Sequence, residues 1–229
     1  MKIRSQEKEL IDQGPAFYSQ EEYQDCLKKL FLINRLLGLF KKTLRLLKKI
    51  PGSQSLCDIG CGGGLFLLHL SRHHPEMALS GLDVSAAAIQ YAQKNLNSWH
   101  YPIQNVNFEV QPSNQLNLAD ASVDIILTNL VCHHIEDEAL VDFLKMTYQA
   151  ARHVVIIHDL HRHKIAYWFY KYLSPLLFRN RLITHDGLIS IQRGFTRREW
   201  ISLLQKAQIF DYQVTWFFPF WWRVILWKK

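Results

Sequence analysis

The sequence predicts an α/β fold, a doubly wound, seven-stranded and mostly parallel sheet of the Rossmann-like kind. Two observations predict it. Between residues 54 and 160, short apolar runs alternate with stretches of helical spacing, an order typical of parallel strands joined by helices. Near the end of the chain, two further runs, "DYQVTWFF" and "WRVILW", read as closing strands. We therefore expect a sheet that helices cover on both faces.

The first fifty residues predict helices that precede the sheet. Leu37, Phe40, Leu44 and Leu47 fall on one helical stripe, and "IPGS" at 50–53 ends the pattern. We expect residues 1–50 to form a helical lid and residues 51–229 to form the main domain.

The main domain is predicted element by element from its periodicity. Its first five strands are expected in "SLCDIG", "ALSGLDV", "VNFEV", "VDIILTNL" and "HVVIIHDL". Helices are expected in "GLFLLHLSRHH", "SAAAIQYAQKNL" and "DEALVDFLKMTYQAA". After residue 160 the alternation stops, and apolar residues with helical spacing, interrupted by Pro175, predict a helical cap insertion over 161–194. The helix "TRREWISLLQKAQ" then leads into the last two strands.

Composition and charge narrow the class of protein. Of the 229 residues, 48% are hydrophobic and 21% are charged, as in a globular domain. The net charge of +7 divides into +5 over residues 1–50, −7 over 51–150 and +9 over 151–229. An acidic centre argues against a uniformly basic nucleic-acid binder, so nucleic acid is not the expected partner.

Four isolated cysteines without a CxxC pair fit a reducing environment. The N-terminal residues have no apolar signal region, and no run of about 18 uncharged apolar residues occurs. We expect a cytoplasmic protein without a membrane-spanning helix.

The most informative segment is "LCDIGCGGGLFLL", in which a buried strand runs through a glycine turn into a helix. A dinucleotide-binding G-x-G-x-x-G pattern fails because Leu65 stands where its third glycine belongs. A phosphate-binding loop ending in Gly-Lys-Ser/Thr is also absent from the sequence. The remaining pattern is D-x-G-x-G-x-G, and its acid would attract a cationic ligand and repel a pyrophosphate.

This pattern resembles motif I of the class I S-adenosylmethionine-dependent methyltransferases, which have a Rossmann-like fold. The resemblance implies S-adenosylmethionine as the cofactor, with Asp83 on the ribose hydroxyls and Val84 beside the adenine. "SAAAIQYAQKN" is similar to the family's next helix. The cofactor loop that the resemblance implies consists of Asp58, Gly60, Cys61, Gly62 and Gly64.

The resemblance also covers the ends of the third and fourth strands. Where the family often has "G-D-A" after the third strand, this chain has "QPS" at 111–113, so Ser113 and Asn114 are the expected adenine contacts. "VDIILTNLVCHHIED" resembles motif IV of the small-molecule branch, which includes ubiquinone and menaquinone biosynthesis methyltransferases. It implies Asn129 beside the methionine part of the cofactor. The Asn/Asp-Pro-Pro-aromatic motif typical of base-amino methylases of nucleic acids is absent from this segment.

Histidines follow the fourth and fifth strands, in "CHH" and "HDLHRH". Because neighbouring strand ends border one crevice, they are candidates for a base or a substrate-orienting role, with structural capping as the alternative. His134 or His158 is the preferred base, and Asp159 could orient His161 as a dyad. No metal is expected, because H-x-x-H-x-H on a turn matches no common zinc site.

The expected acceptor is hydrophobic. "LFLINRLLGLF" and "IAYWFYKYLSPLLF" predict an apolar pocket for an aromatic or lipid-like small molecule. We expect O-methylation of a phenol, a quinol or a polyketide-like hydroxyl, with an RNA methyltransferase or a non-catalytic cofactor-binding protein as alternatives. The C-terminal "WFFPFWWRVILWKK" also suits a membrane interface, which predicts peripheral contact with anionic bilayers.

Overall fold

The computed structural model describes residues 1, 3–111 and 116–228, and these form a seven-stranded sheet in the order β3-β2-β1-β4-β5-β7-β6. Strands β1 to β5 pair in parallel, and β7 lies antiparallel between β5 and β6. The predicted fold class is therefore confirmed. The strands are β1 (Ser55–Ile59), β2 (Ala78–Asp83), β3 (Val106–Val110), β4 (Val123–Asn129), β5 (Ala151–Leu160), β6 (Tyr212–Phe217) and β7 (Trp221–Trp227).

Helices precede the sheet, join its strands and form the cap. Local signals set several of their starts: Ser85 caps α4, and Thr196 and Glu199 form a reciprocal capping box at α9. The helices are α1 (Gln20–Leu36), α2 (Leu39–Leu47), α3 (Leu65–Ser71), α4 (Ala86–Asn97), α5 (Asp137–Ala150), α6 (Lys164–Leu177), α7 (Arg181–Thr184), α8 (Asp186–Arg193) and α9 (Arg197–Lys206).

The core lies on both faces of the sheet, because successive side chains of a strand point in opposite directions. Leu56 of β1 belongs to a cluster that includes residues of α2 and α3. Its neighbour Cys57 belongs to a second cluster, formed with α5 and α9. Burial on both faces explains why the central strands are continuously apolar instead of alternating.

The predicted cap insertion contains helices α6, α7 and α8. One detail of the prediction is wrong: α6 continues through Pro175 to Leu177. Proline removes a single backbone donor, and the helix ends two residues later at Leu177, so the interruption is confined to its last turn.

The strand order reverses between β1 and β4, because the chain proceeds outward from β1 to β2 and β3 and then returns to β4 on the other side of β1. Such a reversal opens a crevice at the carboxyl ends of the strands. No helix in the described ranges combines the length and the apolar character needed to cross a membrane.

Candidate functional site

The glycine loop after β1 is held against β2 by backbone hydrogen bonds. The N–H groups of Gly60 and Cys61 donate to the carbonyl of Leu82, at 2.7 and 3.1 Å. Gly60 has a φ of +77°, and a Cβ atom there would lie 2.3 Å from Cγ2 of Val131. The first glycine is therefore required both for the turn and for the approach of the β4 loop.

Gly64 has a packing role in this loop. It begins α3 with a φ of +69°, and a Cβ atom would lie 2.4 Å from the ring of Phe108. Gly60, Cys61 and Gly62 line the cavity described below, whereas Gly64 is not among its lining residues. The structure thus places Gly64 behind the loop, against β3, because the helix must lie close to the sheet there.

Asp83 ends β2 and holds two turns together. Its carboxylate accepts hydrogen bonds from the N–H of Gly62 at 2.8 Å and from the N–H of Ser85 at 2.9 Å. Burial raises the pKa of Asp83, although those two N–H groups oppose the rise. Val84 follows it on the rim of the cavity, where its side chain is 63% exposed.

Asp58 is a buried acid with an unmet bonding capacity. Its Oδ1 has no hydrogen-bond partner among the described residues, and it lines the same cavity. Burial, assisted by the negative charge of Asp83, raises its pKa to about 8. A buried carboxyl without a partner is costly, so this position favours a ligand that brings a cation or a hydrogen-bond donor.

Asn129 ends β4 beside a strained residue. Leu130 has a φ of +59°, in the left-handed region that branched side chains rarely adopt. Its N–H donates to the carbonyl of His158 at 2.8 Å, which holds the turn in place. Non-glycine residues in this conformation occur often at functional sites, and both Asn129 and Leu130 line the cavity.

The cavity has a volume of about 770 Å³ and two kinds of wall. One wall is the glycine loop with Asp58 and Asp83. The facing walls are apolar, and they come from the N-terminal helices and from α3 and α5. Their residues include Leu27, Leu30, Phe31, Phe40, Phe66, Phe143 and Met146.

His134 lies in the wall of this cavity as predicted, next to two acids of the N-terminal segment. Its Nδ1 is 2.9 Å from Asp12 Oδ1 and 3.8 Å from Glu9 Oε1. Burial lowers its pKa, but the two carboxylates outweigh burial and raise the pKa to about 9. At neutral pH this imidazole is therefore protonated.

His158 is buried and is not among the lining residues of the cavity. Its Nδ1 lies 3.0 Å from Oδ1 of Asn129, so it donates to that amide and orients it. Burial, with the charges of Arg223 and Lys42, lowers its pKa to about 3. The prediction that His158 could act as the base is wrong, because its side chain is fully buried and does not line the cavity.

The predicted dyad of Asp159 with His161 is also wrong, because Asp159 pairs with His133. Nδ1 of His133 lies 2.8 Å from Oδ1 of Asp159, and both side chains are buried. Burial would raise the pKa of Asp159, but His133 holds it below its usual value. His161 lies beyond the end of β5, where its Nδ1 accepts a hydrogen bond from Trp216 at 3.2 Å.

Two buried arginines that no sequence motif indicated hold the turn after β4. The buried guanidinium of Arg4 donates to the carbonyls of His133 and Ile135, and that of Arg193 donates to His133 and His134. These bonds hold the "CHH" turn and the N-terminal residues together. The sequence signal was faint, because lone arginines at positions 4 and 193 match no motif.

Glu9, His133 and His134 place potential metal-ligand atoms within 4.8 Å of one another. The three side chains contact one another directly, since Glu9 Oε1 lies 3.6 Å from Nε2 of His133 and 3.8 Å from Nδ1 of His134. The predicted adenine contacts Ser113 and Asn114 lie outside the described residues. Gln111, just before them, lines the cavity and donates its N–H to the carbonyl of Asp83 at 2.8 Å.

Comparison with known proteins agrees with this geometry. Residues 56–153 match the family model of the methyltransferase domain. Residues 56–153 are thus similar to a class I S-adenosylmethionine-dependent methyltransferase domain. An uncharacterised methyltransferase of Mycobacterium bovis is 30% identical over 86 residues, which cover 38% of this chain and 40% of that protein. The chain thus spans about two fifths of the length of this and two similar mycobacterial relatives.

Two solved methyltransferase structures are similar in fold to this chain over most of its length. A methyltransferase from Aquifex aeolicus is 20% identical with a TM-score of 0.65, covering 89% of this chain and 97% of that one. The plantazolicin methyltransferase, in complex with a monoazolic desmethyl analogue and S-adenosylhomocysteine, is 17% identical with a TM-score of 0.65. This structural match covers 89% of this chain and 89% of that one.

S-adenosylmethionine is the cofactor that this similarity implies, and the residues present fit it. The unpartnered Oδ1 of Asp58 suits the amino group of its methionine part, and a side chain on Gly60 would collide with Val131. Asp83 has further lone pairs for the ribose hydroxyls.

Proposed function

We propose that the protein transfers a methyl group from S-adenosylmethionine to a hydroxyl of a hydrophobic small molecule, such as a phenol, a quinol or a polyketide-like compound. One observation carries this proposal. One cavity is lined both by the glycine loop with Asp58 and Asp83 beside it and by apolar side chains of α1 and α2. The cofactor, when bound, supplies an electrophilic methyl group on sulfur, so the protein has mainly to align the acceptor and exclude water.

The apolar wall suits a flat acceptor. The rings of Phe40 and Phe66 stack with centroids 4.5 Å apart, and Phe31 lies 5.1 Å from Phe40. Aromatic side chains in such an arrangement offer both burial and ring-to-ring contact to a ligand. Leu27 and Leu30 of α1 extend this wall.

His134 is the residue best placed to take the proton from the acceptor hydroxyl. Among the four predicted catalytic residues His134, His158, Asp159 and His161, it alone is a lining residue of the cavity in the part of the chain that the structure describes. Its raised pKa means that the neutral, proton-accepting imidazole becomes abundant only as the pH approaches about 9. Asp12 would stabilise the imidazolium that forms when the acceptor gives up its proton.

The choice of a small molecule over RNA rests on the site itself. The segment after β4 reads Asn129–Leu130–Val131 and lacks the prolines of base-amino methylases. The solved plantazolicin methyltransferase, which this chain resembles in fold, was crystallised with a small-molecule analogue. We also propose that the protein is cytoplasmic and that it is related to the ubiquinone and menaquinone biosynthesis methyltransferases.

Two measurements test this proposal. Calorimetric titration with S-adenosylmethionine should show saturable binding, and affinity weaker than millimolar would favour a non-catalytic protein. Transfer of a radiolabelled methyl group should then label a component of a lipid extract and leave total RNA unlabelled. Label in RNA alone would replace the small-molecule proposal with the RNA alternative.

A further inference from the structure

Helix α6 presents a row of large apolar side chains to the outside of the molecule. We call these residues the α6 face, and each of its five members at helical spacing is between 50% and 81% exposed. A shallow groove of the surface is lined by them together with Leu173. The α6 face consists of Ile165, Trp168, Phe169, Tyr172 and Leu176.

The opposite side of α6 already has its partners. Ala166 and Ser174 are buried, and the hydroxyl of Tyr170 donates to the carbonyl of Ile183 at 2.8 Å. The ring of Tyr170 also occupies the space beside Gly187, where a Cβ atom would lie 2.4 Å from its oxygen. The α6 face is therefore not needed to attach the cap to the domain, and a helix that is apolar all round normally has both sides covered.

The charged residues of α6 and of the chain next to it have one sign. Residues 160–185 contain no Asp or Glu but five Lys or Arg. Lys164, Lys171 and Arg179 of this set are exposed, and Nζ of Lys171 lies 5.0 Å above the ring of Trp168. Amphipathic aromatic rings beside basic side chains are the combination found where proteins meet the headgroups of a bilayer.

We propose that the α6 face docks the protein onto anionic lipid bilayers. Its apolar side chains would enter the boundary between headgroups and acyl chains, while the surrounding lysines and arginine meet lipid phosphates. A lipid partner supplies the negative charge that this part of the chain lacks. This inference does not depend on the methyl transfer proposed above.

A second copy of the chain is a poorer occupant. A two-fold interface would bring the same lysines and arginine against one another, with no acid from residues 160–185 between them. The face is also small, since a 14-residue helix is about 21 Å long, and stable dimers bury about 800 Å² per partner.

Two of the four tryptophans in the C-terminal segment are unavailable for the predicted membrane contact. Trp221 and Trp222 of β7 are only 3% and 6% exposed, so they belong to the core. Phe218, in the turn between β6 and β7, is exposed. That turn adjoins the start of α6, because the ring of Phe220 stacks on His163 at 5.1 Å. The turn can therefore extend the docking surface.

Sedimentation with vesicles tests the proposal, using the full chain and vesicles of neutral lipid or of neutral lipid mixed with phosphatidylglycerol. We expect binding to the anionic vesicles that weakens at high salt. The double variant Phe169→Ser/Leu176→Ser should bind about tenfold or more weakly, because two apolar anchors are lost. Lys164→Glu/Lys171→Glu should remove the preference for anionic vesicles.

Phe210→Ser is the matched control, since Phe210 is equally exposed but lies at the other end of β6 from the turn. It should bind vesicles like the unaltered protein, and all variants should keep their thermal unfolding midpoint. Equal vesicle binding by the Phe169/Leu176 variant and the unaltered protein would overturn the proposal. So would a dimer in light scattering that this variant converts to a monomer.

Discussion

The two ends of the cavity differ in how their acids are paired. At the cofactor end, burial raises the pKa of both Asp58 and Asp83, and neither carboxylate has a salt-bridge partner among the described residues. At the acceptor end, Asp159 is paired with His133 and Asp12 with His134, and the pKa of each of these two acids is lowered, whereas burial raises the pKa of Glu9. The cofactor end thus lacks a direct cationic partner until a positively charged ligand arrives, whereas two of the three acids at the acceptor end already have histidine partners. Binding of a ligand should therefore change the pKa values of the acids at the cofactor end more than those at the acceptor end.

The largest expected effect is on the acceptor end, where removal of one partner leaves the other buried without compensation. Asp159→Ala should lower the free energy of unfolding by about 3 kcal/mol or more, because the ring and the backbone N–H of His133 and the N–H of Leu160 all lose their acceptor, at about 1–3 kcal/mol for a buried donor. Chemical denaturation measures it. Asp142→Ala is the control, since its pairing with Lys145 is exposed and should contribute less than about 1 kcal/mol. Equal effects of the two substitutions would show that the acceptor end is not internally balanced.

At the cofactor end, Asp83→Asn should affect ligand affinity more than folding. The amide keeps the shape of the side chain but loses charge-assisted hydrogen bonds to the ribose, so affinity for S-adenosylmethionine should fall by about 3 kcal/mol, or more than 100-fold. Calorimetry measures the dissociation constant. An unchanged value would contradict the assignment of Asp83 to the cofactor.

His134 links the two ends through its titration. His134→Gln should reduce kcat/KM by about 100-fold, because the proton acceptor is lost. In the unaltered protein, kcat/KM should rise with pH and level off above about 9, where His134 is neutral. Asp12→Asn removes a charge that raises this pKa, so the rise should shift to lower pH. A pH profile that neither variant alters would place the base elsewhere.

Asp58 should make cofactor binding depend on pH. Its folded pKa of about 8 means that a cationic ligand must first favour ionisation of this carboxyl at neutral pH. The dissociation constant of S-adenosylmethionine should therefore fall as the pH rises toward 8, by at most about tenfold for each pH unit. Calorimetry across this range measures the slope, and Asp58→Asn should flatten it. The same slope in the variant would assign the titration to another group.

The smallest expected effect separates backbone strain from crowding in the glycine loop. Gly60 and Gly52 have φ angles of +77° and +80°, but only at Gly60 would a Cβ atom meet another residue within 4 Å. Gly60→Ala should weaken cofactor affinity by about tenfold beyond its cost in stability, whereas Gly52→Ala should cost only the strain of about 1 kcal/mol. Equal affinities in the two variants would remove the steric argument.

The cofactor end was predictable because it is local. Asp58 lies near the end of one strand, Gly60 and Gly62 follow that strand, and Asp83 ends the next. Their spacing along the chain therefore already places them together. Gly64 was assigned to the cofactor because the pattern could not show that Phe108 of β3 lies against it. The sequence pattern thus reports which residues share a turn but not which side of the turn a distant ring occupies.

The strand and helix order followed from the sequence by itself, because the period of the apolar residues along the chain is a local property that selects strand or helix. The pairing of Asp159 with His133, the closure by Arg4 and the exposure of the α6 face were decided only in the tertiary structure. Each depends on which distant segments of the chain lie next to one another in space, and a local sequence pattern contains no information about that. Burial then determined which histidine reaches the cavity and which one orients Asn129.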